Sequence, residues 1–234
     1  MAGPLKGYLW TTSSSYDYIL GSYEDAKTVD TFCSWLKPDT VFWDLGGNVG
    51  FYALMANRFI GTGKIYSFEP IPFVRSIFEQ HVELNKKHIQ HDNINILPFA
   101  ISDHEREVAF SNDINQRDGN TYIKTAENFT NAKDSIIVKC HSIDELLKQG
   151  YDAPDIIKID VEGAELDVLN GAINMLKQYK PNILLATHDC HLPGVNARCV
   201  QLLQELGYNV KHTGHYHKHL PGLDDYIAVH QTKL

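Results

Sequence analysis

The sequence predicts an α/β protein built on a doubly wound, mostly parallel sheet with an antiparallel carboxy-terminal edge strand. Three observations support this fold class. From residue 41 onward, short apolar runs alternate with longer stretches of helical periodicity. The short runs are apolar on both faces, which is typical of parallel strands covered by helices. Strands that alternate with crossover helices form a doubly wound sheet.

The first half of the parallel sheet is punctuated by glycine and proline. Glycines follow the first strand and the first crossover helix, and Glu69-Pro70 ends the second strand. Apolar side chains at close to helical spacing predict the next helix. In chain order, the predicted elements are a strand at 41–43, a helix at 51–59, a strand at 64–68, a helix at 71–87 and a strand at 94–100.

The second half repeats the alternation. It comprises a strand at 156–159, a helix from 163 to about 177, a strand at 183–186 and a helix at about 195–206. Runs at 208–210 and 226–229, joined by a His-rich loop, suit an antiparallel edge pair. We expect a single domain over residues 1–234, with an amino-terminal cap segment (1–40, including a helix at about 24–36) and an antiparallel insertion (104–141).

The composition is that of a soluble, acidic, globular protein. Of 234 residues, 43% are hydrophobic and 21% charged, and the net charge is −8. The 21 Lys and Arg form no basic stripe, so no nucleic-acid partner is expected. The four cysteines lie far apart without a CxxC pair, which suggests neither a disulfide framework nor a zinc knuckle. Because the sequence has neither a long apolar segment nor a secretion signal, we expect a cytoplasmic protein with no membrane partner.

A glycine-rich turn, DLGGNVG at 44–50, joins the first strand to the first crossover helix, so backbone N–H groups point at a ligand. Leu45 breaks the GxGxxG dinucleotide fingerprint, which disfavours a dinucleotide oxidoreductase. Asp44 suits a ligand with an ammonium or a sulfonium and would repel a pyrophosphate. Glu69, at the end of the second strand, can accept both hydroxyls of a ribose. S-adenosylmethionine carries these groups and is the predicted cofactor.

In combination, four segments carry a family resemblance: DLGGNVGFYAL, SFEP, PFAISD and IKIDVEGAEL. They resemble the FkbM-type branch of the class I S-adenosylmethionine-dependent methyltransferases, which have a Rossmann-like fold. The resemblance implies that the turn binds the methionine part, that Glu69 binds the ribose and that the exit of the third strand packs on adenine. The predicted cofactor-binding residues are Asp44, Gly46, Gly47, Asn48, Gly50, Glu69, Pro70, Ala100, Ile101 and Asp160.

The chain departs from the family pattern at two places. Position 47 is Gly where the family usually has Ala, a change that we expect to be harmless. Thr187-His188 stands where many members have a glutamate before the histidine.

Asp160 and His188 are the predicted catalytic residues. Asp160 closes an apolar strand, where an acid is costly to bury without a task or a partner. Ligands bind beyond the carboxyl ends of such strands, and in methyltransferase topology the strand that ends at His188 is the neighbour. A base can take the proton of an alcohol as the new bond forms. We therefore predict that His188 is the base and that Asp160 orients it or shares the proton.

Other polar residues nearby have structural interpretations. Glu162 and Glu165 favour a helix amino terminus through the macrodipole, and Lys158 neutralises a neighbour. Oxygen and nitrogen ligands for a metal are present, but no spacing requires one, so no metal is predicted; they are Asp160, Glu162, His188, Asp189 and His191. The histidine run at 212–219 is interpreted as a solvated turn.

The sequence thus predicts an S-adenosylmethionine-dependent O-methyltransferase (EC 2.1.1 type) that acts on a hydroxyl of a small molecule, such as a sugar or a secondary metabolite. N-methylation with the same cofactor and a catalytically silent nucleotide-binding scaffold are the alternatives. We expect the polar stretch 111–134, with a turn at 118–120 and Tyr122, to cover the acceptor. Tyr16, Tyr18 and Tyr23 are expected to close the other side.

Overall fold

The computed structural model describes residues 3–12, 14, 17–18, 23–111, 135–215 and 222–233. Its strands are β1 (Val41–Leu45), β2 (Lys64–Phe68), β3 (Ile94–Leu97), β4 (Ala100–Ile101), β5 (Arg106–Ser111), β6 (Ser135–His141), β7 (Ile156–Ile159), β8 (Asn182–His188), β9 (Tyr208–His215) and β10 (Leu223–His230). Its helices are α1 (Ala26–Trp35), α2 (Phe51–Asn57), α3 (Pro72–Leu84), α4 (Ile143–Lys148), α5 (Glu165–Asn170), α6 (Ile173–Tyr179) and α7 (Val195–Glu205), followed by a 3-10 turn at Gln231–Lys233.

Seven strands form the main sheet, in the order β3-β2-β1-β7-β8-β10-β9. The first five run parallel, while β10 is antiparallel to both of its neighbours. The predicted mixed α/β fold, mostly parallel and with an antiparallel pair at the carboxy-terminal edge, is confirmed. Within that pair, β10 lies inside and β9 forms the outer edge.

The central strands are apolar on both faces because helices cover both sides of the sheet. Along β1, Trp43 and Leu45 enter one core cluster, whereas Phe42 enters the other. The four residues of β7 are all buried. This two-sided burial fixes the parallel strands side by side, so the carboxyl ends of β1, β7 and β8 meet at one edge.

Two predicted elements differ from the structure. The strand predicted at 94–100 ends at Leu97, because Pro98 cannot donate a ladder hydrogen bond, and Ala100–Ile101 pairs instead with β6 in a second sheet. That sheet has the order β4-β6-β5, with β5 and β6 antiparallel as expected for the insertion. Residues 112–134, including the predicted turn at 118–120 and Tyr122, lie outside the described residues.

The single helix predicted at 163–177 is wrong, because the chain forms two short helices that meet near Gly171. The Gly171 carbonyl accepts a hydrogen bond from the Asp144 N–H at 3.0 Å. The Asp144 carboxylate accepts hydrogen bonds from the N–H groups of Asn174 and Met175, at 3.0 and 2.9 Å. These contacts end α5 and supply new partners for the start of α6. In the part of the chain that the structure describes, no helix has the length and apolar character needed to cross a membrane.

Candidate functional site

A cavity of about 640 Å³ opens at the carboxyl ends of the central strands. Most of the predicted site residues line it, namely Gly46, Asn48, Glu69, Pro70, Ala100, Ile101, Asp160 and His188. Asp44, Gly47 and Gly50 are not part of this lining. The fold therefore brings the ends of β1, β2, β7 and β8 around one space, as the strand order requires.

The turn after β1 has a backbone that requires glycine. Gly46 has φ +79°, and a Cβ atom there would lie 1.9 Å from the carbonyl oxygen of Asp160. Gly50 has φ +93°, and its Cβ would lie 2.3 Å from the ring of Phe78. Asn48, between them, also adopts a left-handed conformation. The close approach of the turn to the end of β7 at Gly46, and to α3 at Gly50, is thus possible only without side chains at these glycines.

Glu69 lies at the end of β2 and is nearly fully buried. Its Oε2 atom accepts a hydrogen bond from the Asn48 N–H at 3.0 Å, and its Oε1 atom accepts one from the Ile71 N–H at 2.8 Å. Burial raises the pKa of this carboxyl to about 7, although the two hydrogen bonds oppose the shift. Each oxygen keeps a second acceptor position, so the carboxylate can bind a pair of ribose hydroxyls.

Behind the turn, Lys158 links two carboxylates. Its Nζ lies 3.7 Å from Oδ1 of Asp44 and 3.2 Å from Oδ2 of Asp160, and it donates a hydrogen bond to the Gly46 carbonyl at 3.1 Å. Burial raises the pKa of Asp44 to about 6, with Lys158 opposing the shift. At Asp160, burial also favours the neutral acid, but the charges of Lys158 and His188 and the hydrogen bond from Lys158 together outweigh burial and lower the pKa. Lys158 therefore fixes the turn against β7 and keeps Asp160 ionised.

His188, at the end of β8, is held by Glu165. The His188 Nδ1 atom lies 2.7 Å from Oε1 of Glu165, while Nε2 lies 3.6 Å from Oδ1 of Asp160 and 3.4 Å from Oε2 of Glu162. Burial opposes the charged imidazolium, yet the Glu165 hydrogen bond and the surrounding carboxylates raise the pKa of His188 to about 9. Burial also raises the pKa of Glu162, to about 7.

Glu165 is fully buried and contacts His188. The prediction that it favours the helix amino terminus therefore covers only part of its role. A sequence signal for this burial does exist. Glu165 shares the apolar stripe of α5 with Val168 and Leu169, at i, i+3 and i+4 spacing. A glutamate on an apolar helix stripe needs a polar partner inside the fold.

The amino-terminal segment closes one side of the cavity. Tyr18 and Tyr23 both line it, with ring centroids 4.2 Å apart, whereas Tyr16 lies outside the described residues. The Tyr52 hydroxyl donates a hydrogen bond to Oε2 of Glu24 at 2.6 Å. Burial raises the pKa of Glu24 to about 7 and that of Asp225, across the cavity, to about 8.

The other predicted polar residues take different positions. Asp189 does not join the cluster, because its Oδ1 accepts a hydrogen bond from the Asn196 N–H at the start of α7. His191 contacts Oε2 of Glu162 at 3.1 Å. In the histidine run, the exposed His212 ring lies 2.8 Å from Oδ1 of Asp224, and residues 216–221 are outside the described part of the chain.

The strand order, the glycine turn and the cavity at the strand ends are those of the class I S-adenosylmethionine-dependent methyltransferase fold. The family model described as the methyltransferase FkbM domain matches residues 44–210. The chain belongs to this family, as the four sequence segments indicate.

Curated relatives and solved structures are similar to this chain. The hexuronic acid methyltransferase AglP of Haloferax volcanii is 28% identical over 142 residues, which cover 60% of this chain and 53% of that protein. Methyltransferase 1 of Beauveria bassiana is 27% identical over 191 residues, covering 74% and 73%. The chain thus spans about half the length of AglP.

The structures show the fold. The methyltransferase FkbM from Methylobacillus flagellatus KT aligns with a TM-score of 0.56 and 15% identity, over 83% of this chain and 44% of that one. The precorrin-6y C5,15-methyltransferase from Geobacter metallireducens GS-15 aligns with a TM-score of 0.53 and 13% identity, over 97% and 95%.

Proposed function

We propose that this protein transfers the methyl group of S-adenosylmethionine to a hydroxyl of a small molecule, such as a sugar or a secondary metabolite. The observation that carries the proposal is that a carboxylate suited to ribose, Glu69, shares one cavity with the Asp160–His188 pair. One cavity therefore offers both a cofactor site and a group that can take a proton. The printed name of AglP, a hexuronic acid methyltransferase, supports a sugar acceptor.

The residues present fit the cofactor. Glu69 has acceptor positions left for the ribose, and the turn at Gly46 leaves backbone close to the cavity. Asp160, kept ionised by Lys158, can bind the ammonium group of the methionine part. When bound, S-adenosylmethionine supplies a methyl group on a cationic sulfur, which an oxygen nucleophile can attack.

Proton removal from the acceptor is assigned to His188, with Asp160 beside it. Nδ1 of His188 is held by Glu165, so Nε2 is the atom left to accept a proton from a hydroxyl. With a pKa of about 9, the imidazole of the free protein is protonated at neutral pH. A cationic ligand in the cavity opposes that charge and lowers the pKa. A bound cationic ligand therefore favours the neutral imidazole, which is the form of His188 that can accept a proton.

The cofactor part of the proposal is tested by calorimetric titration of the cofactor-free protein with S-adenosylhomocysteine. We expect binding by the intact protein and an affinity at least about tenfold lower in Glu69→Ala, because a hydrogen bond to a charged group contributes about 1.5–3 kcal/mol. Glu79→Ala, on the exposed face of α3, is the matched control and should bind like the intact protein. No binding by the intact protein would overturn the methyltransferase proposal and favour a silent scaffold.

The transfer part is tested with a labelled methyl donor and a panel of pyranosides and amines. Label in an ether product would support the hydroxyl acceptor, whereas label only on amines would favour N-methylation. His188→Gln should lower the transfer rate while S-adenosylhomocysteine still binds. Normal turnover in this variant would remove His188 from the base role.

A further inference from the structure

Three side chains converge at the carboxyl ends of β7 and β8. The ligand-type atoms of Asp160, Glu162 and His188 all lie within 4.8 Å of one another. His188 is buried, and the side chains of Asp160 and Glu162 are only 23% and 19% exposed. The cluster is thus a mixed nitrogen–oxygen set on the cavity wall.

The contacts inside this cluster are too long for charge-assisted hydrogen bonds. Such bonds between an imidazolium and a carboxylate are about 2.7–2.9 Å long. Nδ1 of His188 meets this value with Glu165, at 2.7 Å. Nε2 does not, because it lies 3.4 Å from Glu162 and 3.6 Å from Asp160. The fold therefore holds these three groups near one another without closing the hydrogen bonds between them.

The same separations match the edges of a metal coordination sphere. Ligands about 2.1 Å from a common ion lie 3.4–3.6 Å apart when they subtend about 108–118° at that ion. These angles are close to tetrahedral or trigonal geometry. All three ligand-type atoms lie within 4.8 Å of one another, and all three residues line the cavity.

Each of the three groups is also held by its own outer partner. Glu165 contacts Nδ1 of His188 at 2.7 Å, which leaves Nε2 as the donor atom. Lys158 contacts Oδ2 of Asp160 at 3.2 Å, which leaves Oδ1. His191 contacts the Glu162 carboxylate at 3.1 Å. A carboxylate on the far nitrogen of a histidine is the usual outer-shell arrangement of metal-bound imidazoles.

The charges of the side chains connected by these contacts also favour a bound cation. It joins four carboxylates to one lysine and two imidazoles, namely Asp44, Asp160, Glu162, Glu165, Lys158, His188 and His191. Lysine supplies the one permanent positive charge of this set. A divalent ion would offset the excess of buried negative charge.

We propose that Asp160, Glu162 and His188 bind a divalent transition-metal ion, of the Mn²⁺, Co²⁺ or Zn²⁺ class, that takes a mixed nitrogen and oxygen ligand set. Glu165 is a positioning residue that acts through His188. Mg²⁺ and Ca²⁺ are disfavoured because they prefer all-oxygen ligands.

The role of the ion rests on the proposed function. An acceptor hydroxyl bound to the ion has a lowered pKa, so its proton can pass to solvent water. The oxygen then forms the new O–CH₃ bond while the C–S bond breaks and its electron pair stays on sulfur. With the ion bound, Nε2 of His188 is a ligand and does not take the proton. The ion then replaces His188 as the group that promotes ionisation of the hydroxyl.

The binding claim is tested on the full chain without cofactor or acceptor. After treatment with a chelator and its removal, Mn²⁺ is titrated and free ion is followed by electron paramagnetic resonance. We expect one site per chain and at least a hundredfold weaker binding in Glu162→Gln. Glu83→Gln, an exposed glutamate at the end of α3, is the matched control and should bind like the intact protein.

Two further measurements separate metal binding from folding and from cofactor binding. The Co²⁺ complex should show visible absorption that changes in His188→Gln, and Glu165→Gln should bind about 10–100-fold more weakly. Thermal melting shows whether each variant is folded. A folded intact protein that binds neither ion, or equal Mn²⁺ affinity in folded Glu162→Gln, would overturn the metal site. Retained S-adenosylhomocysteine binding would then leave the proposed function standing.

Discussion

At the scale of single residues, we expect Glu69 to couple cofactor binding to pH. Its pKa of about 7 means that the carboxyl is mostly neutral at pH 6 and mostly ionised at pH 8. Only the ionised form offers acceptors on both oxygens to a ribose. We expect the affinity for S-adenosylhomocysteine to fall roughly tenfold from pH 8 to pH 6, measured by calorimetry.

Glu69→Gln separates this titration from the others in the cavity, because the amide does not ionise in this range. The variant should bind weakly with a flat profile between pH 6 and 8, and Glu79→Gln should keep the full slope. An unchanged slope in Glu69→Gln would assign the pH dependence to another group.

Gly47 and Ser67 are expected to be energetically coupled. A Cβ atom at position 47 would lie 2.0 Å from Oγ of Ser67, whose hydroxyl donates a hydrogen bond to Oδ2 of Asp44 at 3.1 Å. Glycine at 47 thus fits the buried serine. Gly47→Ala should cost about 1–3 kcal/mol of unfolding free energy through overpacking.

The measurement is a double-mutant cycle in urea. Gly47→Ala should cost less in the Ser67→Ala background, by at least about 0.5 kcal/mol. Additive effects of the two substitutions would contradict this coupling and would show that the Ser67 side chain can move away from a Cβ at position 47 without strain.

A site residue can be predicted from the sequence when the strand topology determines its position, but not when a side-chain contact determines it. Asp160 and His188 end strands, so the topology alone predicts that they are near each other. Glu165 is the first residue of α5, and its role depends on a side-chain contact of 2.7 Å with His188. No sequence spacing predicts this contact. The metal ligands are likewise invisible to spacing, because Glu162 and His188 are 26 positions apart in the chain and meet only when β7 and β8 pair.

At the scale of elements, Gly171 lies between α5 and α6 at a position that has no room for a side chain. A Cβ atom there would lie 2.2 Å from the carbonyl oxygen of Ser102 and 2.9 Å from Cα of Asp103. Both contacts are with backbone, which cannot move aside easily. Gly171→Ala should therefore cost about 1–3 kcal/mol in urea unfolding, although alanine is the better helix former.

Gly214→Ala is the matched control, since a Cβ at that position meets nothing within 4 Å. It should change the unfolding free energy much less than Gly171→Ala. A stabilised Gly171→Ala would show that helix propensity outweighs the close approach of Ser102.

Local patterns predict the elements well where one residue decides the boundary, as Gly50 does at the start of α2. They fail where a distant segment decides. The break between α5 and α6 depends on Asp144 and Ser102, which the sequence places about 30 and 70 residues away. Likewise, apolar patterning predicts the carboxy-terminal pair of strands but does not say that β10 lies inside β9.

At the scale of the whole molecule, the cavity makes stability depend on pH. Burial is the largest cause of the raised pKa values of four acids around it, about 7 for Glu24, Glu69 and Glu162 and about 8 for Asp225. The folded state therefore binds more protons than the unfolded state, and this stabilisation is lost as pH rises through these values. His188, raised to about 9, acts with the same sign.

We expect the melting temperature of the protein without cofactor or metal to fall between pH 6.5 and 8.5. The loss should be at least about 2 kcal/mol, which corresponds to a melting temperature lower by at least about 4 °C. The histidines with lowered pKa, His81, His191 and His230, oppose the trend only below about pH 6.5. A flat or rising melting temperature in this window, measured by scanning calorimetry, would contradict the prediction.

The position of β10 also sets an order of events during synthesis. A chain translated as far as residue 215 already contains β9, but among the described strands β9 pairs only with β10, which emerges later. Until then, β8 exposes the unpaired backbone edge that β10 will occupy, with His188 beside it. The nascent chain therefore passes through a stage with an open, aggregation-prone sheet edge, and the strand that carries His188 is covered only when β10 inserts.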